Sequence, residues 1–433
     1  MSATSWRWST APTVSEPGLG AASSGWQHGV VDLRGVVIFA LTYALISARR
    51  LGWLGFDRPA GALFGAVACV VVGVLSPADA IAAVDEDTML LLFGMMGLGA
   101  FLAVDGFFDA VGVVAAHLAQ TPTRLLGFVV WGSGILSALV TNDAVCVLGA
   151  PLIVALIKRH RLPALPFLLA LATGANTGSV MTLVGNPQNM LCASLGGLAY
   201  SDHLRLVGPV GLLALALNHG LLIFMFRRAL ASASLIDEGA APPPLGRAWV
   251  SLVVIAGTAV AATLGAHLAW TATTGLVVLM LVHRRDSRQI WSSIDWSVLL
   301  FFCGLFIVVE GFVHSGAPAA FFEQVSLMGH DQSWWRLSAV FLFGSNLVSN
   351  VPFILVIQQQ MAALPDPRLG WELLAVVSTF AGNLTLLGSV ANIIVAEAGR
   401  DVGGMGFLDY AKVGVPLALA TSALGTGWLL AFS

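Results

Sequence analysis

The stretch ALVTNDAVCV (Ala138–Val147) sets Thr141, Asn142 and Asp143 inside one of the most apolar parts of the chain. The segment around it, Leu125–Ile157, otherwise reads as membrane helix. A polar break in such a segment leaves backbone groups unpaired. Hydrocarbon does not tolerate that, so the break must be buried in protein or line a wet cavity.

Composition places the whole chain in the bilayer. Of 433 residues, 57% are hydrophobic and only 10% charged, with a mean hydropathy of +0.87. Soluble domains carry about 25% charged residues. Thirteen tryptophans suit interfacial belts. A net charge of −3 with no basic tail excludes nucleic acid as a partner. Cys69, Cys146, Cys192 and Cys303 all lie in apolar segments without a CxxC pattern, so neither disulfides nor a zinc site is expected. Residues 1–33 form a polar tail that lacks the features of a cleavable signal peptide, with Trp6, Trp8 and Trp26 placed to lie at the interface.

Apolar segments recur at Val36–Ala48, Ala60–Leu75, Thr88–Val104, Leu213–Phe226, Trp249–Leu268, Trp270–Val282, Trp296–Val313 and Val413–Phe432. Leu337–Ala363 is interrupted by Ser349-Asn350-Val351-Pro352 much as Leu125–Ile157 is by its triplet. Phe167–Leu195 and Trp371–Ala398 are broken by Gly, Asn and other polar residues. The linker IDEGAAPPPLGR (Ile236–Arg247) divides the chain, since three prolines cannot continue a helix. Across it the halves repeat: GAFLAVDGF (Gly99–Phe107) aligns with GLFIVVEGF (Gly304–Phe312), LVTND (Leu139–Asp143) with LVSNV (Leu347–Val351), and MTLVGNPQNM (Met181–Met190) with LTLLGSVANI (Leu384–Ile393). The offsets are 205, 208 and 203, in the same order. The expected fold is an all-α polytopic membrane protein of two inverted repeats. Each repeat has about five transmembrane helices, a re-entrant helical hairpin and a broken helix. The tail is 1–33, repeat 1 is 34–235, the cytoplasmic linker is 236–247 and repeat 2 is 248–433.

With five crossings per half, fifteen of the 20 Lys and Arg residues fall on one side and five (Arg7, Arg34, Arg205, Arg336, Arg368) on the other. The positive-inside rule makes the first side cytoplasmic and both termini external, in a bacterial-type inner membrane. An odd number of crossings per half inverts the second repeat, the plan of many secondary transporters.

In discontinuous helices, half-helix N-termini offer partial positive charge and freed carbonyls suit a cation. The candidate site is therefore Thr141, Asn142, Asp143, Asn176, Thr177, Thr182, Gly185, Asn186 and Asn189 from the first half. Ser349, Asn350, Thr379, Asn383, Thr385, Gly388, Ser389 and Asn392 come from the second. The competing account is interhelical glue, for which membrane helices commonly use Ser, Thr, Asn and Gly.

These motifs resemble the ion transporter superfamily with its citrate transporter-like domain, which includes arsenite permeases, NhaD-type sodium/proton antiporters and divalent anion/sodium symporters. The resemblance covers about residues 35–432 and implies two hairpins and two interrupted helices holding substrate and coupling ion. Thr141-Asn142-Asp143 resembles the Asn-Asp hairpin of arsenite permeases, Ser349-Asn350-Val351-Pro352 the Asn-x-Pro hairpin of that branch, and Gly382–Glu397 its second broken helix. Neither tip carries the Ser-Asn-Thr of the dicarboxylate symporters.

A carboxylate at midplane is a functional candidate. Asp143 is expected to carry a coupling proton or hold a cation, with capping of its own helix as the competing role. Asp105 and Glu310 are read as equivalent and water-solvated near helix ends, with Glu397 also near water. Cys146 and Cys192 flank the site and are read as core residues. His160, His203, His267 and His283 are placed in loops and interfaces. No P-loop is present, which excludes ATP-driven pumping.

The expected function is an ion-coupled secondary transporter, of the arsenite/antimonite permease type or a related H⁺- or Na⁺-coupled carrier, and not an enzyme. A sodium-coupled di- or tricarboxylate or sulfate symporter, a Na⁺/H⁺ antiporter and a passive anion channel are the alternatives. No cofactor is expected beyond the coupling ion. The expected partners are a small anion or metalloid, that ion and the lipid bilayer, with a homodimer left open as the assembly.

Overall fold

The computed structural model describes residues 31–47, 57–236, 246–284, 286–324, 327–328 and 332–433. Most of the tail and of the linker therefore lies outside the described residues. Regular structure among the described residues is entirely helical. The first half runs α1 (Leu33–Ser47), α2 (Arg58–Val71), α3 (Pro77–Ala82), α4 (Glu86–Val104), α5 (Phe107–Ala119), α6 (Pro122–Leu139), α7 (Asn142–His160), α8 (Ala164–Ser179), α9 (Pro187–Gly196) and α10 (Tyr200–Ala231). The second runs α11 (Ala248–Thr263), α12 (Leu268–His283), α13 (Ser287–Trp291), α14 (Trp296–His314), α15 (Ala317–Gln324), α16 (Trp334–Val348), α17 (Asn350–Met361), α18 (Pro367–Ala381), α19 (Val390–Ala398) and α20 (Phe407–Phe432).

Local chemistry sets many of these boundaries. Asp57, Asp85, Thr121, Thr141, Asn186 and Asp366 each cap a helix by accepting a backbone N–H of its first turn. Proline in the first turn follows the cap in α2, α6, α9 and α18, where its missing N–H costs nothing. The four interrupted segments appear as α6–α7, α16–α17, α8–α9 and α18–α19. Two of the expected spans were drawn too short: α10 starts thirteen residues before Leu213 and α20 six before Val413. Polar first turns, such as Ser201 to Arg205, hide those starts from hydropathy. The helices α5 and α15 were not expected.

Among the described residues, five helices (α4, α6, α10, α14 and α20) are long and apolar enough to cross a membrane. Leu63, Phe64, Val67 and Val71 of α2 project outward, as a lipid-facing surface requires.

Each helix of the first half has a counterpart ten places later, and contacts between the halves are reciprocal. α2 packs on α14 while α4 packs on α12; α7 meets α19 while α17 meets α9; α8 meets α18, and α10 meets α20. Such an exchange belongs to bodies related by a two-fold axis. Two glycines set its register. A Cβ on Gly94 of α4 would lie 3.0 Å from the Ala272 Cβ of α12, and one on Gly304 of α14 would lie 2.7 Å from the Ala62 carbonyl carbon of α2. Gly94 and Gly304 are 210 residues apart, as are Ala62 and Ala272. The alignment of Gly99 with Gly304 was therefore slipped by five residues, because a glycine-rich apolar helix matches its partner in several registers. Asp105 and Glu310 are consequently not equivalent.

Two cavities follow the same exchange. One of about 740 Å³ is lined by Asp57, Arg58, Ile393, Ala396 and Arg400; another of about 360 Å³ is lined by His267, Leu268, Met190, Ala193 and Gly197. Tyr200, at the start of α10, borders the smaller one. Beyond the far end of α10, Ile236 donates to His160, close to the Lys158–Asp401 pair beside the larger one. The 32 residues of α10, roughly 48 Å of helix, separate the two.

Candidate functional site

The breaks α8–α9 and α18–α19 cross at the centre of the molecule, each closed by its own asparagine. Asn189 Nδ2 donates to the Thr182 carbonyl at 3.0 Å and the Ser179 carbonyl at 3.4 Å. Asn392, 203 residues later, donates to the Thr385 and Gly382 carbonyls at 3.2 and 2.8 Å. Each asparagine reaches back from the second half-helix to carbonyls freed where the first one ends, which satisfies backbone that hydrocarbon leaves unpaired.

The two breaks are then sewn together. Asn176 Nδ2 donates to Asn392 Oδ1 at 2.9 Å, and its counterpart Thr379 donates to Asn189 Oδ1 at 2.9 Å. Ser389 donates to Asn176 Oδ1 at 3.1 Å, and its counterpart Asn186 donates to the Thr379 hydroxyl at 3.1 Å. Asn186 also donates to Ser179 at 2.8 Å. All these residues except Thr385 and Ser389 are buried.

The first tip enters this network directly. Asn142 donates its backbone N–H to the Gly185 carbonyl and its Nδ2 to Asn176 Oδ1, both at 2.9 Å. Asn176 also donates to Asn383 Oδ1 at 3.2 Å, so its amide fills all four hydrogen-bonding positions. Asn383 in turn donates to Thr177 at 3.0 Å. Gly185 admits no side chain, since a Cβ there would run into the Ser179 backbone. Thr141 caps α7, and the half-buried Asp143 carboxylate faces the Ala391 backbone N–H in the first turn of α19. The carboxylate therefore reaches across to the other half's broken helix. No side chain caps α19 at Ser389.

The second tip is built differently. Thr385 donates to Asn346 Oδ1 at 3.2 Å, Asn346 donates to the Ala381 carbonyl at 2.7 Å, and Gly388 leaves room for Asn346. Ser349 is exposed, with φ of 80° and no capping bond. Asn350 is buried, and its Oδ1 has no partner among the described residues. Neither Ser349 nor Asn350 joins the central network.

Several residues of this core escaped the sequence reading. Ser179 and Asn346 occupy positions that the repeat offsets reach (Gly382 and Ala138 are their counterparts), so both were within range of a finer alignment. Three histidines placed in loops are instead buried in the core: His160, His203 and His283. Asp105 is not solvated; its side chain is fully buried, accepting from Ser251 at 2.8 Å and lying 3.0 Å from His283 Nε2. Their partners come from distant segments, which a linear reading does not bring together. Glu397 is exposed beside Arg400, as expected.

A network of buried amides and hydroxyls at the meeting of two broken helices is the anatomy expected of a membrane carrier. The profile of the family described as citrate transporter matches residues 43–381. The chain belongs to the citrate transporter family. It is similar to the silicon efflux transporter LSI3 of Oryza sativa subsp. japonica, with 32% identity covering 90% of this chain and 96% of that one. It is also similar to arsB of Dictyostelium discoideum, which carries a transporter name, with 26% identity covering 86% and 87%. The crystal structure of the YdaH transporter of Alcanivorax borkumensis has the same fold, with a TM-score of 0.53 at 17% identity, covering 93% of this chain and 97% of that one. This citrate transporter family member is thus a multi-pass membrane transporter and not an enzyme.

Proposed function

We propose that the chain is an ion-coupled secondary transporter that moves a small hydroxylated metalloid acid, such as arsenous or silicic acid, by alternating access through the crossed broken helices. The supporting observation is the site's donor set. The residues from Thr141 to Asn189 and from Thr379 to Asn392 that meet there offer amides, hydroxyls and backbone groups, with Asp143 as the one charged side chain. The elements α8, α9, α17 and α19 carry no Lys or Arg. Burying a di- or tricarboxylate without compensating cations is costly. An uncharged polyhydroxy acid instead exchanges hydrogen bonds with amides and hydroxyls one for one. The name of the rice relative, a silicon efflux transporter, points the same way.

In this reading the repeats 34–235 and 248–433 are inverted. The reciprocal contacts, and the cavities at opposite ends of α10 that line up by the same exchange, support this reading. The end holding Arg58, Lys158 and Arg400 is cytoplasmic by the charge bias. The larger cavity lies there, which supports an inward-facing arrangement. Thr141, Asn142, Thr182, Gly185, Thr385, Gly388 and Ser389 frame the site, while Ser349 and Asn350 form the gate that has not engaged. The coupling ion is H⁺.

The test is a resistance and uptake panel in a transporter-deficient host, covering arsenite, silicic acid, Na⁺/Li⁺, sulfate, and di- and tricarboxylates. Saturable arsenite or silicic acid transport with counterflow supports the reading. Transport of citrate or sulfate alone would replace it with the anion-symporter alternative, and flux at channel rates would remove the carrier mechanism.

A further inference from the structure

His203 on α10 and Glu372 on α18 meet inside the protein, Nδ1 to Oε2 at 2.6 Å, with side chains 0% and 3% exposed. The other ring nitrogen, Nε2, lies 2.9 Å from the carbonyl oxygen of Val180, the residue that ends α8 at the first break. A carbonyl oxygen can only accept, so Nε2 carries a hydrogen and donates it. The short contact on the other side of the ring then holds one further proton. That proton sits on Nδ1, giving imidazolium and carboxylate, or on the carboxyl, which donates to a neutral imidazole. Both forms are neutral overall. Removing the proton leaves a nitrogen lone pair facing a carboxylate oxygen at hydrogen-bond distance, with a net charge of −1 in a buried place. That contact cannot hold, and an unpaired buried charge is expensive.

The site is single. Tyr410 stands at the equivalent place on α20, 207 residues after His203, and its hydroxyl reaches Asn383 Oδ1 at 3.5 Å where His203 reaches Val180. Leu169 stands where Glu372 has its counterpart. Only one end of the pseudo-symmetric core therefore holds this titratable pair, and it joins the two halves beside the site.

The other ionisable groups on the elements around it are few. α8 and α17 bring none. α9 brings Cys192, near Glu372. α10 brings Tyr200, Asp202 and Arg205 close to His203 and the more distant His219, Arg227 and Arg228, while α18 brings Arg368, which binds Asp202 at 2.7 Å where both are exposed. α20 brings Asp409 and Lys412, paired with each other, and Tyr410. Arg124 of α6 and Arg336 of α16 are exposed. Of these, Cys192, Tyr200 and Tyr410 are buried, and none of the three carries charge at neutral pH.

We infer that His203 and Glu372 form the proton-binding site that couples transport to the pH gradient. The pair takes one proton from water at one end and returns it at the other as the broken helices shift. Holding the proton binds α10 to α18 and fixes the Val180 carbonyl; losing it parts the pair and frees the end of α8 next to Ser179 and Thr182. The inference rests on the carrier reading above but concerns the proton and not the cargo.

Two measurements test it separately from that reading. In the first, pH-difference infrared spectra of the lipid-reconstituted protein, without cargo, are compared for wild type, Glu372→Gln and Arg368→Gln. A carboxyl signal present in wild type and Arg368→Gln but absent from Glu372→Gln is the expected result; the same signal in all three, or none in wild type, overturns the site. In the second, arsenite or silicic acid flux into proteoliposomes is compared with and without an imposed pH gradient. The wild type should speed up several-fold under the gradient, while Glu372→Gln and His203→Gln exchange cargo at equal pH but ignore the gradient. Variants that still respond to it would overturn the coupling role. Absence of any flux in wild type counts against the cargo reading and leaves the infrared result to decide the proton site.

Discussion

Asn176 on α8 donates to Asn392 on α19 at 2.9 Å, joining the two broken helices across the centre of the protein. The bond has a mirror in Thr379 donating to Asn189 at the same length. Each half thus lends a polar side chain to the asparagine that closes the other half's break. A site built this way moves when the halves move. That suits the duplicated element order to the alternating access proposed above.

Replacing Asn176 should damage both breaks. Asn176→Ala strips partners from Asn142, Asn383, Asn392 and Ser389 together, and each buried group left unpaired costs about 1–3 kcal/mol. The expected outcome is a lowered thermal midpoint in detergent and arsenite uptake reduced at least tenfold, the effect of about 1.4 kcal/mol. Asn176→Asp keeps the acceptors and loses the donors to Asn383 and Asn392, so it should fail in the same way. Normal uptake by either variant would remove the network from the mechanism.

The close approach of α6 and α8 makes a second prediction. A Cβ on Gly178 would fall on the Gly134 backbone, which has no rotamer with which to yield. Gly178→Ala should therefore destabilise by about 1–3 kcal/mol, the usual cost of overpacking. Gly132, on the same α6, has open space around its Cβ position. Gly132→Ala should be neutral or stabilising by about 0.5–1 kcal/mol, because alanine favours the helix. Size-exclusion chromatography after graded heating separates the two; equal behaviour would contradict the packing.

At the second tip, Ser349 holds φ of 80° and ψ of 149°, a conformation that L residues adopt at a cost of about 1–3 kcal/mol. Glycine carries no such cost. Ser349→Gly should raise the thermal midpoint of the apo protein, and a fall would mean that the hydroxyl has a role in this state beyond the tip's geometry.

The amount that was legible in the sequence differs sharply between features. Thr182, Gly185 and Asn189 recur as Thr385, Gly388 and Asn392 because a broken helix needs the same closure wherever it occurs, and that need writes a motif. The capped starts of α7 and α9 were readable for the same reason, from Thr141 and Asn186. The His203–Glu372 pair left no such trace. Its members are 169 residues apart, lie in different halves and recur in neither, so only the meeting of the two side chains in the fold reveals them. The slip between Gly99 and Gly94 has a related cause. In a helix as apolar as α4 the sequence offers several glycines, and the approach of Ala272 alone selects one of them.

Asp143 separates two roles that a midplane carboxylate can play. Its carboxylate faces the Ala391 N–H, where α19 begins without a side-chain cap of its own. A carboxylate at a helix N-terminus gains about 0.3–1 kcal/mol from the dipole, and up to about 2 kcal/mol where partly buried. That contact ties the first hairpin to the second broken helix, a tie that the proposed cycle would break and remake. Asp143→Asn keeps an acceptor oxygen for Ala391 but removes the charge, so transport should fall several-fold while acceleration by a pH gradient persists. Asp143→Ala should fall further, with the same dependence on the gradient. Glu372→Gln should do the reverse, retaining exchange at equal pH and losing the gradient response. Measured side by side in proteoliposomes, the two carboxylates must give these opposite patterns; loss of the gradient response in Asp143→Asn would move the coupling proton to the first tip.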